Sequence, residues 1–295
     1  MITGDNSTVY RDGWLTSEDG LRLYYRDYGD AASSSMNPAT PVLCLPGVTR
    51  NSKDFTPLAE RLAPRRRVIC PDFRGRGRSE YDPDWKNYIP TTYANDIRHL
   101  LVSLGVHRVH VIGTSLGGIV AMVMAVATPG ALASVMLNDI GPEIGMVGLG
   151  GIADYMKDDT PLPDWDAAAD HVRDAYFPNL PKGTPEDWMI IAKNTYRENP
   201  EGLLVHDWDW NIVRPFEQAL AGRKIDLWPL FRALGRVPVL CVRGALSAIL
   251  SEQTLSRMIE ALPAMTHVTV EDCGHPPRLT EANVLEALDA HLARA

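Results

Sequence analysis

The sequence predicts an α/β fold: a mostly parallel, twisted sheet with helices on both faces and an inserted helical cap. Three observations carry this. Short, apolar runs alternate with helical patterns, as expected of a sheet covered on both sides. The alternation breaks between about 140 and 235, which shows no strand pattern and collects Trp165, Trp188, Trp208, Trp210 and Trp228. A Gly-x-Ser-x-Gly pentapeptide, Gly113-Thr114-Ser115-Leu116-Gly117, joins one apolar run, Val109-His110-Val111-Ile112, to another beginning at Ile119.

The strand candidates are 21–27, 42–45, 68–71, 109–114, 133–138, 239–244 and 266–270, with 14–16 as an added edge strand. Helical patterns fall at 55–62, 93–104, 116–127, 252–262 and 281–293, with Asp54, Thr92 and Ser251 as candidate caps. Within the insertion, helices are expected near 165–176 and 186–197. The organisation is therefore a core of 1–139 and 236–295, interrupted by a cap of 140–235. The cap tryptophans should mostly form its own small core. Trp208 and Trp210 are kept as pocket candidates, because ligand sites favour aromatics.

Composition excludes several classes. The net charge is −8, so no overall positive field attracts nucleic acid or anionic lipid. The runs Arg65-Arg66-Arg67 and Arg74, Arg76, Arg78 read as a solvated face and an arginine-rich loop, with an anion site at 74–78 as the sharper alternative. Met1 to Tyr10 is polar and unlike a secretory signal, and no stretch reaches the length of a membrane span. The widely spaced Cys44, Cys70, Cys241 and Cys273 match no zinc pattern and read as buried free thiols. A cytoplasmic protein, monomer or homodimer, is expected, with no metal or cofactor. The segment Gly75-Arg76-Gly77-Arg78-Ser79-Glu80 lacks the last glycine and the following helix of a dinucleotide fingerprint.

The pentapeptide in a strand–turn–helix context is a nucleophile elbow. It exposes the Ser115 hydroxyl at a sheet end and sets it at a helix N-terminus, which favours developing negative charge. A serine hydroxyl is a weak nucleophile until an imidazole takes its proton. His275, in Cys273-Gly274-His275-Pro276, follows the last strand and is the candidate base. Leu45-Pro46-Gly47-Val48 ends an early strand. The backbone N–H groups of Val48 and Leu116 are the candidate oxyanion donors, and Gly47 permits close approach of substrate.

These segments, together with Pro71-Asp72-Phe73-Arg74-Gly75-Arg76-Gly77-Arg78-Ser79, resemble the α/β-hydrolase fold with a helical cap, over about residues 14–293. The resemblance implies a catalytic acid after the strand at 239–244. There, in Gly244-Ala245-Leu246-Ser247-Ala248, similar proteins carry aspartate where this chain has Ala248. Three readings follow. An inactivating replacement at 248, introduced to trap a substrate, is favoured because Ser115, His275 and the flanking residues are intact. The acid could instead have migrated to Asp139, which ends the strand after the elbow helix and reads otherwise as a turn or cap; Asp272 is a weaker candidate. The third reading is a ligand-binding protein with little or no turnover.

Ser115 disfavours the aspartate-nucleophile chemistries of the fold. Acyl transfer to water remains, on a small-molecule carboxylic ester or lactone with an apolar or aromatic group. Hydrolysis of a carbon–carbon bond in a ring-cleavage or diketone-type product is the alternative enzyme reading, and a small-molecule receptor is the alternative of another class.

Overall fold

The computed structural model describes residues 10–29, 39–222 and 226–294. The polar N-terminal stretch lies outside them, save for Tyr10. An eight-stranded sheet runs in the order β1-β2-β4-β3-β5-β6-β9-β10. Its strands are β1 (Arg11–Thr16), β2 (Arg22–Tyr28), β3 (Val42–Leu45), β4 (Val68–Pro71), β5 (Val109–Thr114), β6 (Leu132–Asn138), β9 (Val239–Gly244) and β10 (Thr266–Val270). From β4 to β10 every neighbouring pair is parallel, and β1 and β2 add an antiparallel edge. The predicted strands all form. The edge strand is longer than expected because β1 pairs with β2 along its whole length, Arg11 opposite Asp27 to Thr16 opposite Arg22.

Strands β3, β4, β5 and β6 are buried at every residue. That explains their unbroken apolar sequences, since helices cover both faces. On one face lie α2 (Pro90–Ser103), α3 (Leu116–Ala127) and α8 (Trp228–Ala233), packed over Leu43, Val111 and Leu137. On the other lie α1 (Thr56–Leu62) and α10 (Ala282–Ala293), packed over Val42, Ile112, Met136 and Leu240. Ser251 caps α9 (Glu252–Ala261), its hydroxyl accepting the Thr254 N–H at 3.0 Å. Asp54 and Thr92 are not caps. Asn51 caps the short 3-10 turn that leads into α1, and α2 starts two residues before Thr92, with Pro90 at its first position.

Between β6 and β9 lie α4 (Met146–Met156), α5 (Trp165–Tyr176), α6 (Pro185–Thr195) and α7 (Val213–Ala221), then α8, which packs on the core sheet. The segment also holds a two-stranded antiparallel ribbon, β7 (Tyr196–Glu198) with β8 (Leu204–His206). The ribbon corrects the expectation of no strand here: three residues are too few to show a period of two. Trp188 packs in a small cluster with Ala168, Val172 and Tyr196, but Trp208 and Trp228 join the main core and Trp210 is exposed, so most of the tryptophans of 140–235 do not form a core of the insertion's own.

The arginine-rich loop after β4 turns two of its arginines inward. Arg74 and Arg76 are buried. The Arg74 guanidinium is shared by Asp19, Asp82 and Asp96 at 2.5–2.8 Å. Arg76 donates to the carbonyls of Val48 and Arg74 and to the Tyr93 hydroxyl, each at 2.8 Å. Their donors hold the strand ends together, so the anion site considered for 74–78 is not formed. The four cysteines are free and buried. No helix among the described residues is long and apolar enough to cross a membrane.

Candidate active site

Strand β5 turns into α3 at Ser115 with no intervening loop. The turn is tight enough to force Ser115 to φ 51°, a conformation that costs a non-glycine residue on the order of 1–3 kcal/mol. The flanking glycines make it possible. A Cβ on Gly117 would stand 2.1 Å from the Leu45 carbonyl oxygen, and one on Gly113 would stand 2.6 Å from the Gly117 backbone. The reward is a serine at the end of a buried strand and at the first turn of a 12-residue helix. Gly118 and Ile119 donate to the Ser115 carbonyl, and the N–H of Leu116, at the first helical position, has no acceptor within the helix.

His275 reaches Ser115 from the loop after β10. Its Nε2 lies 3.0 Å from Ser115 Oγ, and its Nδ1 lies 2.7 Å from Asp139 Oδ2. Asp139 is fully buried just beyond β6, next to Ser115 across the sheet, and has φ 56°. Its carboxylate is held from the neighbouring strand end. The Gly244 N–H donates to Oδ1 at 2.9 Å and the Ser247 hydroxyl donates to Oδ2 at 2.5 Å. With both oxygens engaged, Asp139 favours the imidazole tautomer protonated at Nδ1, which leaves Nε2 free to accept the serine proton.

Position 248 lies apart from these contacts. Ala248 is exposed, and its carbonyl packs on the start of α4. Cβ atoms on Gly145 and Gly148 would meet that oxygen at 2.0 and 2.7 Å. The imidazole nitrogen that an acid at 248 would have to serve is already occupied by Asp139. The end of β9 and the loop after it therefore supply hydrogen bonds to Asp139. Asp272 is exposed and paired with Lys182 at 2.5 Å.

Sequence reasoning missed the residues that fix the histidine loop. The Asn179 side-chain oxygen accepts the His275 N–H at 3.0 Å, and its carbonyl accepts the Gly274 N–H at 2.7 Å. Asn138 Nδ2 donates to the Pro277 carbonyl at 2.9 Å and to Thr114 Oγ1 at 3.1 Å. No local pattern marks Asn179, which lies 96 residues from its partner. Ser247 stood in the sequence as an intact flanking residue without a role.

On the oxyanion side, a Cβ placed on Gly47 would lie 3.8 Å from Ser115 Cβ. This sets the Gly47–Val48 peptide beside the nucleophile, where the Val48 and Leu116 N–H groups were expected. The buried Arg76 fixes the loop by donating to the Val48 carbonyl.

A cavity of about 770 Å³ opens over Ser115 and His275. Its walls come from the Gly47 loop, from Ile152 and Tyr155 of α4, from Tyr176 of α5 and from Ile249. Trp208 and Trp210 do not line it. Trp208 is buried, stacked on His206 at 3.9 Å between ring centroids, and Trp210 is 40% exposed. The insertion contributes tyrosines and aliphatic residues to the cavity wall, whereas Trp188 and Trp208 are packed inside. The described residues contain no group of three or more His, Cys, Asp or Glu side chains arranged to hold a metal ion.

The family described as alpha/beta hydrolase fold matches residues 40–282. A solved structure of an alpha/beta hydrolase from Novosphingobium aromaticivorans is 40% identical, with a TM-score of 0.89, covering 97% of this chain and 99% of that one. The 3-hydroxybutyrate-oligomer hydrolase of Cupriavidus necator is 30% identical over 270 residues, 88% of this chain and 89% of that protein. The 2-(acetamidomethylene)succinate hydrolase of Mesorhizobium japonicum is 28% identical over 255 residues, 83% of this chain and 86% of that protein. The chain belongs to the α/β hydrolase fold family, and it is a hydrolase of that fold.

Proposed function

We propose that this protein is a catalytically competent serine hydrolase that cleaves a small carboxylic ester through an acyl-enzyme on Ser115, with His275 as general base and Asp139 as the acid of the triad. One observation carries the proposal: the continuous chain of contacts Ser115 Oγ–His275 Nε2–Asp139 Oδ2 at 3.0 and 2.7 Å. Serine hydroxyl attack on the ester carbonyl forms a C–O bond as His275 takes the serine proton. The negative oxygen of the tetrahedral intermediate falls to the Val48 and Leu116 N–H groups. Collapse breaks the bond to the alcohol, which leaves with the proton from His275. Water then attacks the acyl-enzyme by the same sequence, releasing the acid.

The ester reading is supported by the resemblance to a hydrolase of 3-hydroxybutyrate oligomers and by a cavity walled with aliphatic and tyrosine side chains. Segment 140–235 is proposed to act as the cap that shapes this cavity. The test has two parts. A fluorophosphonate should label Ser115 and no other residue, read by peptide mass spectrometry. A panel of aryl esters and lactones should be hydrolysed, and Ser115→Ala should abolish turnover. An unlabelled Ser115 in the folded protein would contradict the proposal.

A further inference from the structure

The loop that carries His275 is held from two sides. The core takes its carbonyls. The Leu246 N–H donates to the Cys273 carbonyl at 2.8 Å, and Asn138 Nδ2 donates to the Pro277 carbonyl at 2.9 Å. The N–H groups of Gly274 and His275 lie between these points, and both go to Asn179, at 2.7 Å to its carbonyl and at 3.0 Å to its side-chain oxygen. Pro276 and Pro277 have no N–H to offer. Asn179 belongs to segment 140–235, in a single 3-10 turn (Phe177–Asn179) after α5. The insertion thus supplies the acceptors for the backbone of His275 that the core does not.

The surroundings fit this seat. A Cβ on Gly274 would stand 2.3 Å from Asn179 Oδ1 and 2.8 Å from its Cα. Gly274 is not among the glycines with positive φ, so its missing side chain makes room for Asn179 rather than for a turn. On either side the same stretch of the insertion is tied to the same loop, Lys182 to Asp272 at 2.5 Å and Asp187 to Arg278. Asp187 is itself fixed at the start of α6 by a capping box with Thr184. Asp272 and Leu279 bracket the loop with φ of 51° and 64°, a conformation that persists only where surrounding contacts over-determine it.

We infer that Asn179 is a positioning residue for the general base: by accepting the Gly274 and His275 N–H groups it sets the imidazole between Ser115 and Asp139, so that the insertion, and not the core alone, orients His275. This deepens the proposed function and rests on it. The imidazole has to meet two partners at once, at 3.0 and 2.7 Å, and a misplacement of about 1 Å at such a site can cost roughly 100-fold in rate. Asn179 also lines the cavity, so its variants are read for KM as well as for kcat.

The test joins kinetics to the proton resonance of the His275 Nδ1–H, which the carboxylate contact moves far downfield and which His275→Gln identifies by its loss. Asn179→Ala should lower kcat for an aryl ester about 3- to 10-fold, as loss of one neutral hydrogen bond allows. It should leave KM unchanged and shift or broaden the resonance. Asn179→Asp, which keeps the acceptor, should restore both. If Asn179→Ala does not fold, Gly274→Ala, which leaves Asn179 no room, should give the same pattern. Unchanged kcat or an unchanged resonance in Asn179→Ala would overturn the assignment. So would a rise in KM at constant kcat, which marks a substrate contact, an equal loss in Asn179→Ala and Asn179→Asp, or the absence of the resonance from the parent. A parent that shows the resonance but neither hydrolyses the esters nor labels at Ser115 would contradict the hydrolase reading, and the resonance alone then decides the role of Asn179.

Discussion

His275 Nδ1 lies 2.7 Å from Asp139 Oδ2, and Asp139 stands just beyond β6 rather than after β9. Strands β5 and β6 are parallel neighbours, with Thr114 opposite Asn138, so Ser115 and Asp139 sit at adjacent strand ends. The strand beyond them completes the arrangement. It sends the Gly244 N–H and the Ser247 hydroxyl to the carboxylate.

Ser247 should act as a positioning residue. Its hydroxyl donates to Asp139 and accepts the N–H groups of Ile249 and Leu250, each at 3.1 Å. A hydrogen bond to a charged group contributes about 1.5–3 kcal/mol, so Ser247→Ala should lower kcat roughly 10- to 100-fold. KM for an aryl ester should change little, and Ser247→Thr, which keeps the hydroxyl, should recover most of the loss. Steady-state kinetics of the two variants check this. Loss of kcat in both alike would point to the fold of the loop instead.

The elbow glycine sets a stability prediction. A methyl at Gly117 has no room, because it would meet the Leu45 backbone, while a methyl at Gly130 has nothing within 4 Å. Gly117→Ala should lose about 3–5 kcal/mol or fail to fold, and Gly130→Ala should stay within about 0.5 kcal/mol of the parent. Urea denaturation of the pair measures the difference.

Much of this was legible in the sequence, and the exceptions are instructive. The strands from β3 to β6 are continuous apolar runs because both their faces are covered, so periodicity finds them. Ser115 and His275 carry their own local signals, glycines and a strand end. Asp139 carries none: it is a single aspartate after a strand, identical in appearance to a turn residue, and only the sheet order places it beside His275. The glycines at 145 and 148 carry no local signal of their packing either. They sit in or beside a helix because the Ala248 carbonyl packs where their Cβ atoms would be. Nothing in the arginine-rich loop marks Arg74 and Arg76 as buried, because the three carboxylates and the carbonyls that hold them are brought together only by the fold.

Acid should weaken the protein in a defined window. His206 is buried between Tyr196 and Trp208, and burial pushes its pKa down to about 4 from the usual 6.5. Between those values the unfolded chain binds a proton at this site that the folded chain does not, so stability falls as pH drops from about 6.5 to 4. Buried Asp72, pushed up to about 6, contributes with the opposite sign in the same range. The clean readout is therefore a difference: His206→Gln should have a shallower loss of stability than the parent across pH 6.5 to 4. Parallel curves from denaturant melts at each pH would refute this.

The most direct test of the account is to compare Asp139→Asn and Ala248→Asp with the parent chain on one activated aryl ester. If Asp139 is the acid, Asp139→Asn should lower kcat by about 10⁴-fold, as loss of this member does in serine hydrolases, and Ala248→Asp should bring no gain. A gain of several orders of magnitude from Ala248→Asp, with Asp139→Asn little changed, would contradict it and return the acid to the loop after β9.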